Sequence, residues 1–170
     1  SFMHPQTAGT GRRFAHGCKS GSVELCVVRS EIEQALERCA RFGIKPGMDA
    51  MRMVCAAMGN PQETLRVVHV AGTNGKGAVC SLIDSSLRAA GFRVGRYTSP
   101  HLVSLNERFY IDGAPASYEK IDDAFRRLSA RAARQTADLT YFELLTATAF
   151  VLYQCENVDY LVLETGSKGN

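Results

Sequence analysis

Residues 72–77 read Gly-Thr-Asn-Gly-Lys-Gly and combine the residue types that a phosphate-binding loop requires. Glycines let main-chain N–H groups approach an anion closely, because no Cβ atom stands in the way. Lys76 adds a flexible ammonium group that can reach the β and γ phosphates of a nucleotide. The loop follows an apolar segment at 66–71 and precedes a helical pattern at 77–91. The residues predicted to contact a nucleotide are Gly72, Thr73, Asn74, Gly75, Lys76, Gly77 and Ala78.

The generic P-loop pattern, G-x-x-x-x-G-K-[ST], does not fit this stretch. Counted back from the Gly75-Lys76 pair, its first glycine would fall on Val70, and its hydroxyl residue would fall on Gly77. The alternative is a plain strand–helix connection that uses glycines only for a tight turn. That alternative leaves the lysine without an anionic partner, so phosphate binding is the favoured interpretation.

Two further polar residues lie where strands are predicted to end. Ser99 ends the strand pattern at 93–99, and Glu164 ends the strand pattern at 158–164. The carboxyl ends of parallel strands form the ligand crevice of an open α/β sheet. A hydroxyl and a carboxylate there can both offer oxygen to a hard cation such as Mg²⁺. The alternatives are a simple turn residue before Pro100 and an ordinary acid at the sheet edge.

Other candidate residues have two interpretations each. Thr140-x-x-Glu143 is a capping box before an apolar run, so helix capping is favoured over chemistry for Glu143. His101 could orient phosphate or substrate, or be an ordinary loop residue. His69 lies inside the first strand pattern and is predicted to be a core histidine with its hydrogen bonds satisfied.

Helical and strand patterns alternate along the chain. Apolar spacing and caps predict the helices, and short apolar runs predict the strands. The first predicted helix begins at Ser30, which forms a second capping box with Glu33, and further helices cover 51–58, 77–91, 117–135 and 140–154. The predicted strands cover 66–71, 93–99 and 158–164, and a turn is predicted at Asp112-Gly113. The methionines of the second helix are interpreted as core residues, with a binding surface as the alternative. This alternation predicts an α/β domain with a mostly parallel sheet flanked by helices.

Composition narrows the class of protein. The 170 residues are 45% hydrophobic, which suits one packed domain, and no apolar run approaches the ~18 residues that a membrane span requires. The net charge of +3 arises in residues 1–23, and the remainder of the chain is balanced, which argues against nucleic-acid binding. Six cysteines without a C-x-x-C pair indicate buried, reduced thiols in a cytoplasmic protein.

Five segments, taken in order, resemble one family. AGTNGKG at 71–77 resembles the ATP-binding loop of the Mur ligase superfamily, and the glycine after the lysine is similar to folylpolyglutamate and dihydrofolate synthases. GIKPGMDAMRMVCAAMGNPQ upstream, and GRYTSPHLVSLNERFYIDGAPAS, LTYFELLTA and VDYLVLETG downstream, match the same family. The resemblance covers about residues 30–166. It implies an incomplete N-terminal ATP-binding domain of P-loop type over 26–170, after a disordered leader or tag over 1–25.

The resemblance also implies an activity. Enzymes of this family add L-glutamate to a folate or dihydropteroate carboxylate through an acyl phosphate, and they use ATP and Mg²⁺. The partners implied are these small molecules, with no nucleic acid and no membrane, and a monomer is expected. The roles implied for single residues are catalysis for Lys76, Glu164 and His101, metal binding for Ser99 and Glu164, and substrate binding for Thr140 and Phe142. The Glu107-Arg108 pair of the NER segment is interpreted as an internal salt bridge.

Two departures from the family pattern change the expectation. Ala78 stands where the family usually has Ser or Thr, so we expect weaker nucleotide binding rather than none. After Gly166 the residues Ser-Lys-Gly-Asn do not continue the family pattern, and the glutamate-binding domain has no counterpart. We therefore expect these 170 residues to be unable to ligate glutamate alone. The alternatives are a non-catalytic nucleotide-binding remnant and another Mur-type amide ligase.

Overall fold

The computed structural model describes residues 29–41 and 48–165, without the side chains of Ala40 and Arg41. The leader predicted over 1–25, Cys18 and Cys26, the loop after the first helix and the last residues of the chain lie outside the described part. The helices are α1 (Glu31–Arg41), α2 (Asp49–Ala57), α3 (Pro61–Thr64), α4 (Lys76–Ala89), α5 (Tyr118–Thr136) and α6 (Tyr141–Cys155). The strands are β1 (Arg66–Val70), β2 (Val94–Tyr97), β3 (Phe109–Ile111), β4 (Ala114–Pro115) and β5 (Tyr160–Glu164), and a 3₁₀ turn covers Leu105–Arg108.

The five strands form one mixed sheet in the order β1-β5-β2-β3-β4. β5 pairs in parallel with both β1 and β2, whereas β3 and β4 join in antiparallel fashion. Val70 lies opposite Glu164, and Tyr97 lies opposite Leu163. The carboxyl ends of the three parallel strands therefore meet at one edge, as the predicted mostly parallel α/β sheet requires. The predicted α/β fold is confirmed.

Helices cover both faces of the sheet. Leu161 of β5 packs into the large core with α1, α2, α5 and α6, whereas the next residue, Val162, packs with Val70 and Cys80 on the side of α4. Successive side chains of a strand point to opposite faces, so β5 can serve both clusters. Among residues 29–41 and 48–165, no helix is long and apolar enough to cross a bilayer.

Local signals in the sequence set several boundaries as predicted. The main-chain N–H of Ser30 donates to Glu33 at 3.0 Å, and Thr140 and Glu143 cap α6 reciprocally. The predicted turn at Asp112-Gly113 has φ values of 49° and 84°, as a tight hairpin turn requires.

Three expectations about burial are wrong. β1, predicted as a buried strand, lies at the edge of the described sheet, and the side chain of Val67 is 39% exposed. His69 is exposed rather than a core residue, and its Nε2 atom lies 2.8 Å from the hydroxyl of Thr165. Cys155 is exposed at the end of α6 and Cys39 is half-buried, whereas Cys55 and Cys80 are buried as predicted.

Candidate active site at the carboxyl edge of the sheet

The predicted phosphate-binding loop connects β1 directly to α4. Gly75 precedes the first helical residue and has a φ of 75°, in the left-handed region that favours glycine. Residues 71–75 are exposed, and the first turn of α4 contains no acidic residue. The N–H groups at the start of α4, including those of Gly77 and Ala78, are therefore free of an intrahelical partner and carry the positive end of the helix dipole. This geometry suits a bound anion.

Lys76 is the first residue of α4, and its side chain folds back across the loop. Its Nζ donates to the main-chain oxygen of Gly72 at 3.0 Å. That oxygen is a neutral acceptor, and a phosphate oxygen would make a stronger, charge-assisted bond with the same ammonium group. The lysine is therefore held over the loop in a position where an anion can take its hydrogen bond.

Glu164 and Ser99 meet at the same edge. The carboxylate of Glu164 is only 8% exposed, and its Oε2 accepts the main-chain N–H of Ser99 at 3.3 Å. Because Glu164 lies opposite Val70, it stands beside the strand that leads into the loop. Burial and, next, the negative charge of Glu164 raise the pKa of the Cys80 thiol on the buried side of α4. The carboxylate is thus close to the start of the helix that follows the loop.

The oxygens present fit a magnesium ion that also binds a nucleotide. Within the part of the chain that the structure describes, no group of three or more His, Cys, Asp or Glu residues could hold a metal by itself. Mg²⁺ typically takes one or two protein oxygens and completes its shell with water and phosphate. The Glu164 carboxylate and the Ser99 hydroxyl therefore supply a suitable donor set.

His101 has a defined partner, but it faces another cavity. Arg108 donates from Nε to His101 Nδ1 at 2.8 Å. Burial lowers the pKa of His101, and the neighbouring Arg108 charge lowers it further. His101 lines a cavity of about 370 Å³ together with Glu33 and Tyr141, and not with residues 72–77 of the phosphate-binding loop.

The prediction of a salt bridge between Glu107 and Arg108 is wrong, because the ion pairs of the described residues do not include this pair. The Glu107 carboxylate instead accepts main-chain N–H groups of the preceding loop, and Arg108 instead contacts His101. The sequence places the two charges side by side, but it cannot say that each has a separate partner.

Thr140 and Phe142 line two different cavities. The hydroxyl of Thr140 is engaged in the α6 capping box, and this residue borders a cavity of about 580 Å³ with Phe125 and Leu144. The side chain of Phe142 is 45% exposed and lines a separate, mostly apolar groove of about 590 Å³. Phe150 and Met51 also line this groove.

The sequence favours core packing over a binding surface for the methionines of α2, and the groove beside Phe142 shows that this preference is only partly right. Val54 and Met58 are buried, as the core interpretation predicts, but Met48 is 64% exposed and Met51 lines the groove. Methionine is the side chain most suited to irregular apolar surfaces that adapt to a ligand. The methionine-rich composition of α2 was the signal in the sequence that indicated a ligand groove. Helical spacing alone could not distinguish methionines that pack in the core from those that line the groove.

The fold and this edge define an α/β domain of the Mur-ligase type, with a glycine-rich strand–helix loop next to a buried carboxylate. No protein-family model matches the chain. Individual relatives do. The dihydrofolate synthase/folylpolyglutamate synthase of Bacillus subtilis is 37% identical over 134 residues, which are 76% of this chain and 31% of that protein. The chain belongs to the folylpolyglutamate and dihydrofolate synthase family, as a part of that family's length.

Solved structures agree with this assignment. The Escherichia coli enzyme FolC in complex with DHPP and ADP superposes with a TM-score of 0.73 at 32% identity, covering 84% of this chain and 34% of that one. A bifunctional folylpolyglutamate synthase/dihydrofolate synthase with Mn, AMPPNP and L-glutamate bound also gives a TM-score of 0.73, at 31% identity, with 84% of this chain and 34% of that one covered. The chain spans about a third of the length of the relatives that it matches.

Proposed function

We propose that this chain is the nucleotide-binding part of an ATP-dependent ligase that joins L-glutamate to a folate or dihydropteroate carboxylate. The observation that carries the proposal is the meeting of the loop at residues 72–77 with Glu164 and Ser99 at one edge of the sheet. The nucleotide and metal seen in related structures, namely ADP, AMPPNP and Mn, support the same ligands here.

The chemistry explains why these groups are needed together. A carboxylate is a poor electrophile, so its oxygen first attacks the γ-phosphorus of ATP, and ADP leaves with the electrons of the broken P–O bond. The amine of glutamate then attacks the acyl carbon, inorganic phosphate leaves, and the amine loses a proton as the amide forms. Both steps gather negative charge around phosphate, so positioned cations and N–H groups lower the barrier.

Each residue of the edge has a role in the proposal. The main-chain N–H groups from Gly72 to Ala78 hold the phosphates, and the Lys76 ammonium moves from the Gly72 oxygen to a phosphate oxygen. Glu164 and Ser99 would hold Mg²⁺, which supplies charge neutralisation for the phosphates when it is bound. His101 lies in the neighbouring cavity, and because its Nδ1 is engaged it can offer only an N–H donor from Nε2, for which we propose a substrate oxygen as the acceptor.

The groove at Phe142 is the proposed site for the ring system of the substrate. Aromatic and thioether side chains favour flat, polarisable rings, and Phe142, Phe150 and Met51 offer such a surface. DHPP in the E. coli relative supports a substrate of this class. Thr140 caps the N-terminus of α6, the helix that carries Phe142. Its proposed contribution to substrate binding is therefore to fix the start of this helix. The enzyme is proposed to act as a cytoplasmic monomer.

A nucleotide-binding remnant without catalysis is the second candidate, and Ala78 is the observation that favours it. A hydroxyl at that position would add one donor to the phosphates, and this chain lacks it. Another Mur-type amide ligase is disfavoured, because Gly77 stands where those enzymes typically carry threonine after the lysine.

A product assay on the full-length enzyme that carries this chain tests the proposal. Dihydropteroate and tetrahydrofolate are offered separately with Mg-ATP and labelled glutamate, and a labelled conjugate with release of ADP is expected for at least one of them. Lys76→Ala should abolish the product, whereas Lys120→Ala on α5, whose side chain pairs with Glu156, should not. Nucleotide binding without any conjugate would instead support the remnant.

A further inference from the structure

The loop at residues 99–104 carries Ser99 and His101, and one carboxylate holds its second half. Glu107 accepts the main-chain N–H groups of three successive residues, Leu102 at 2.8 Å, Val103 at 3.1 Å and Ser104 at 2.9 Å. These bonds, with that from Leu102 first, lower the pKa of Glu107, so it is ionised. Hydrogen bonds to an ionised acceptor are shorter and stronger than neutral ones.

Arg108 holds the first half of the same loop. It is 8% exposed, its Nε donates to His101 Nδ1, and its guanidinium lies 5.9 Å from the ring centroid of Tyr141 on α6. A guanidinium can only donate, so Nδ1 must be unprotonated, and the proton of the neutral ring is then on Nε2. Arg108 therefore selects one tautomer and one orientation of His101.

Packing does little to hold this loop in place. The side chains of Leu102 and Val103 are 91% and 89% exposed, so they bury almost no apolar surface. A segment with few buried contacts depends on its polar bonds for local order. The bonds that Glu107 accepts and the bond that Arg108 donates therefore restrain the part of the loop between His101 and Ser104, together with the Ser104 hydroxyl, which donates to Asn106 Oδ1 at 2.7 Å.

We propose that Glu107 and Arg108 are positioning residues for the loop that presents Ser99 beside Glu164 and His101 to the neighbouring cavity. Glu107 fixes the backbone of residues 102–104, and Arg108 fixes the ring of His101 with its Nε2–H group free to donate. The purpose of the arrangement rests on the proposed function: an ordered loop keeps Ser99, whose main-chain N–H contacts Glu164, beside the carboxylate that is proposed to bind the metal.

Hydrogen exchange of the 170-residue chain tests the role of Glu107. In Glu107→Gln the amide protons of Leu102, Val103 and Ser104 should exchange at least about tenfold faster, since a charged acceptor is lost. Amides of β5 should not change, and neither should any of these amides in Glu119→Gln, a control at an exposed position on α5. Unchanged exchange at 102–104 in Glu107→Gln would overturn the proposal.

Nitrogen-15 NMR of the histidine ring tests the role of Arg108. The unaltered chain should show His101 protonated on Nε2 alone, and Arg108→Met should give a mixture of tautomers while Arg127→Met, an exposed control, should not. Arg108→Lys retains a cationic donor and should restore part of the preference. A mixed tautomer in the unaltered chain would contradict the assignment, and this holds whatever the stability of the Met variant.

Nucleotide titration separates this proposal from the proposed function. Glu107→Gln should weaken binding of Mg-ATP at least about threefold relative to magnesium-free ATP, because the defect lies at the metal side of the site. If no form of the chain binds Mg-ATP, the proposed function fails while the exchange and NMR results still decide the positioning role. Equal Mg-ATP affinities in a variant whose loop exchanges faster would refute positioning for the metal.

Discussion

At the scale of single residues, the site depends on a few groups whose positions are fixed by the ends of strands. Lys76 and Glu164 lie far apart in sequence, yet the parallel pairing of β1 with β5 places the loop and the carboxylate side by side. Gly75, in the left-handed conformation, turns the chain directly into α4, and Lys76 is therefore the first residue of that helix. The chemistry of these residues was readable from the sequence, and so was the edge on which they meet.

Replacing Ala78 by serine should tighten ATP binding. The position is exposed in the first turn of α4, so a hydroxyl there can reach an anion held by the loop. One net hydrogen bond is worth about 0.5–1.5 kcal/mol, which is roughly a two- to tenfold gain in affinity. Calorimetric titration measures this gain, and Ala90→Ser, at the other end of the helix, is the control. An affinity that stays the same in Ala78→Ser would mean that no phosphate contacts this position.

Replacing Glu164 by glutamine should reduce the dependence of nucleotide binding on magnesium. The amide retains an oxygen that can accept the N–H of Ser99, but it removes the charge that would attract the cation. We expect the ratio of affinities with and without Mg²⁺ to fall at least about tenfold, in line with loss of a charged contact. An unaltered ratio in titrations with and without a chelator would remove Glu164 from the metal site.

At the scale of elements, the close approach of β2 and α6 holds the sheet to its main core. A Cβ atom at Gly95 would lie 2.5 Å from Cδ1 of the fully buried Tyr153, whose hydroxyl donates to the main-chain oxygen of Arg96 at 2.7 Å. Only glycine allows this ring to lie flat against the strand. On the opposite face, Arg96 bonds Ser81 of α4 at 2.7 Å and lies 3.5 Å from the buried Asp84.

Gly95→Ala should therefore destabilise the chain by about 1–3 kcal/mol, the usual range for overpacking a core. Gly77→Ala is the matched stability control, because no atom lies within 4 Å of a Cβ at that helical position, and it should be neutral or stabilising by up to about 1 kcal/mol. Urea unfolding followed by circular dichroism measures both. Equal midpoints for Gly95→Ala and the unaltered chain would show that Tyr153 can move aside.

The sequence predicted element types well because caps, periodicity and turn residues are local signals. The boundaries of α5 and α6 and the hairpin at Asp112-Gly113 follow from such signals. Burial is less local, because it depends on which neighbour a strand obtains. The apolar run of β1 therefore predicted a buried strand, and His69 was assigned to a core that does not cover it. Side-chain partners, such as those of Glu107 and Arg108, also lie beyond what a linear pattern encodes.

At the scale of the whole molecule, the chain is a third of the length of its relatives, and its edge holds one part of the proposed reaction. In the proposal, the loop, Glu164 and Ser99 bind nucleotide and metal, and the Phe142 groove binds the flat ring of the substrate. Among the described residues, no group has been assigned to the glutamate substrate. We therefore expect no ATP-dependent glutamylation of a folate by these 170 residues in a labelled-glutamate assay, and conjugate formation would show that they contain a glutamate site.

The central claim is that the loop at residues 72–77 binds the terminal phosphates of a nucleotide. Isothermal titration of the 170-residue chain with Mg-ATP measures it most directly, with Lys76→Ala and the exposed control Lys120→Ala titrated alongside. We predict saturable binding that Lys76→Ala weakens at least about tenfold and that Lys120→Ala leaves unchanged. Absence of binding at millimolar Mg-ATP, or equal affinities for the chain and Lys76→Ala, would contradict the assignment.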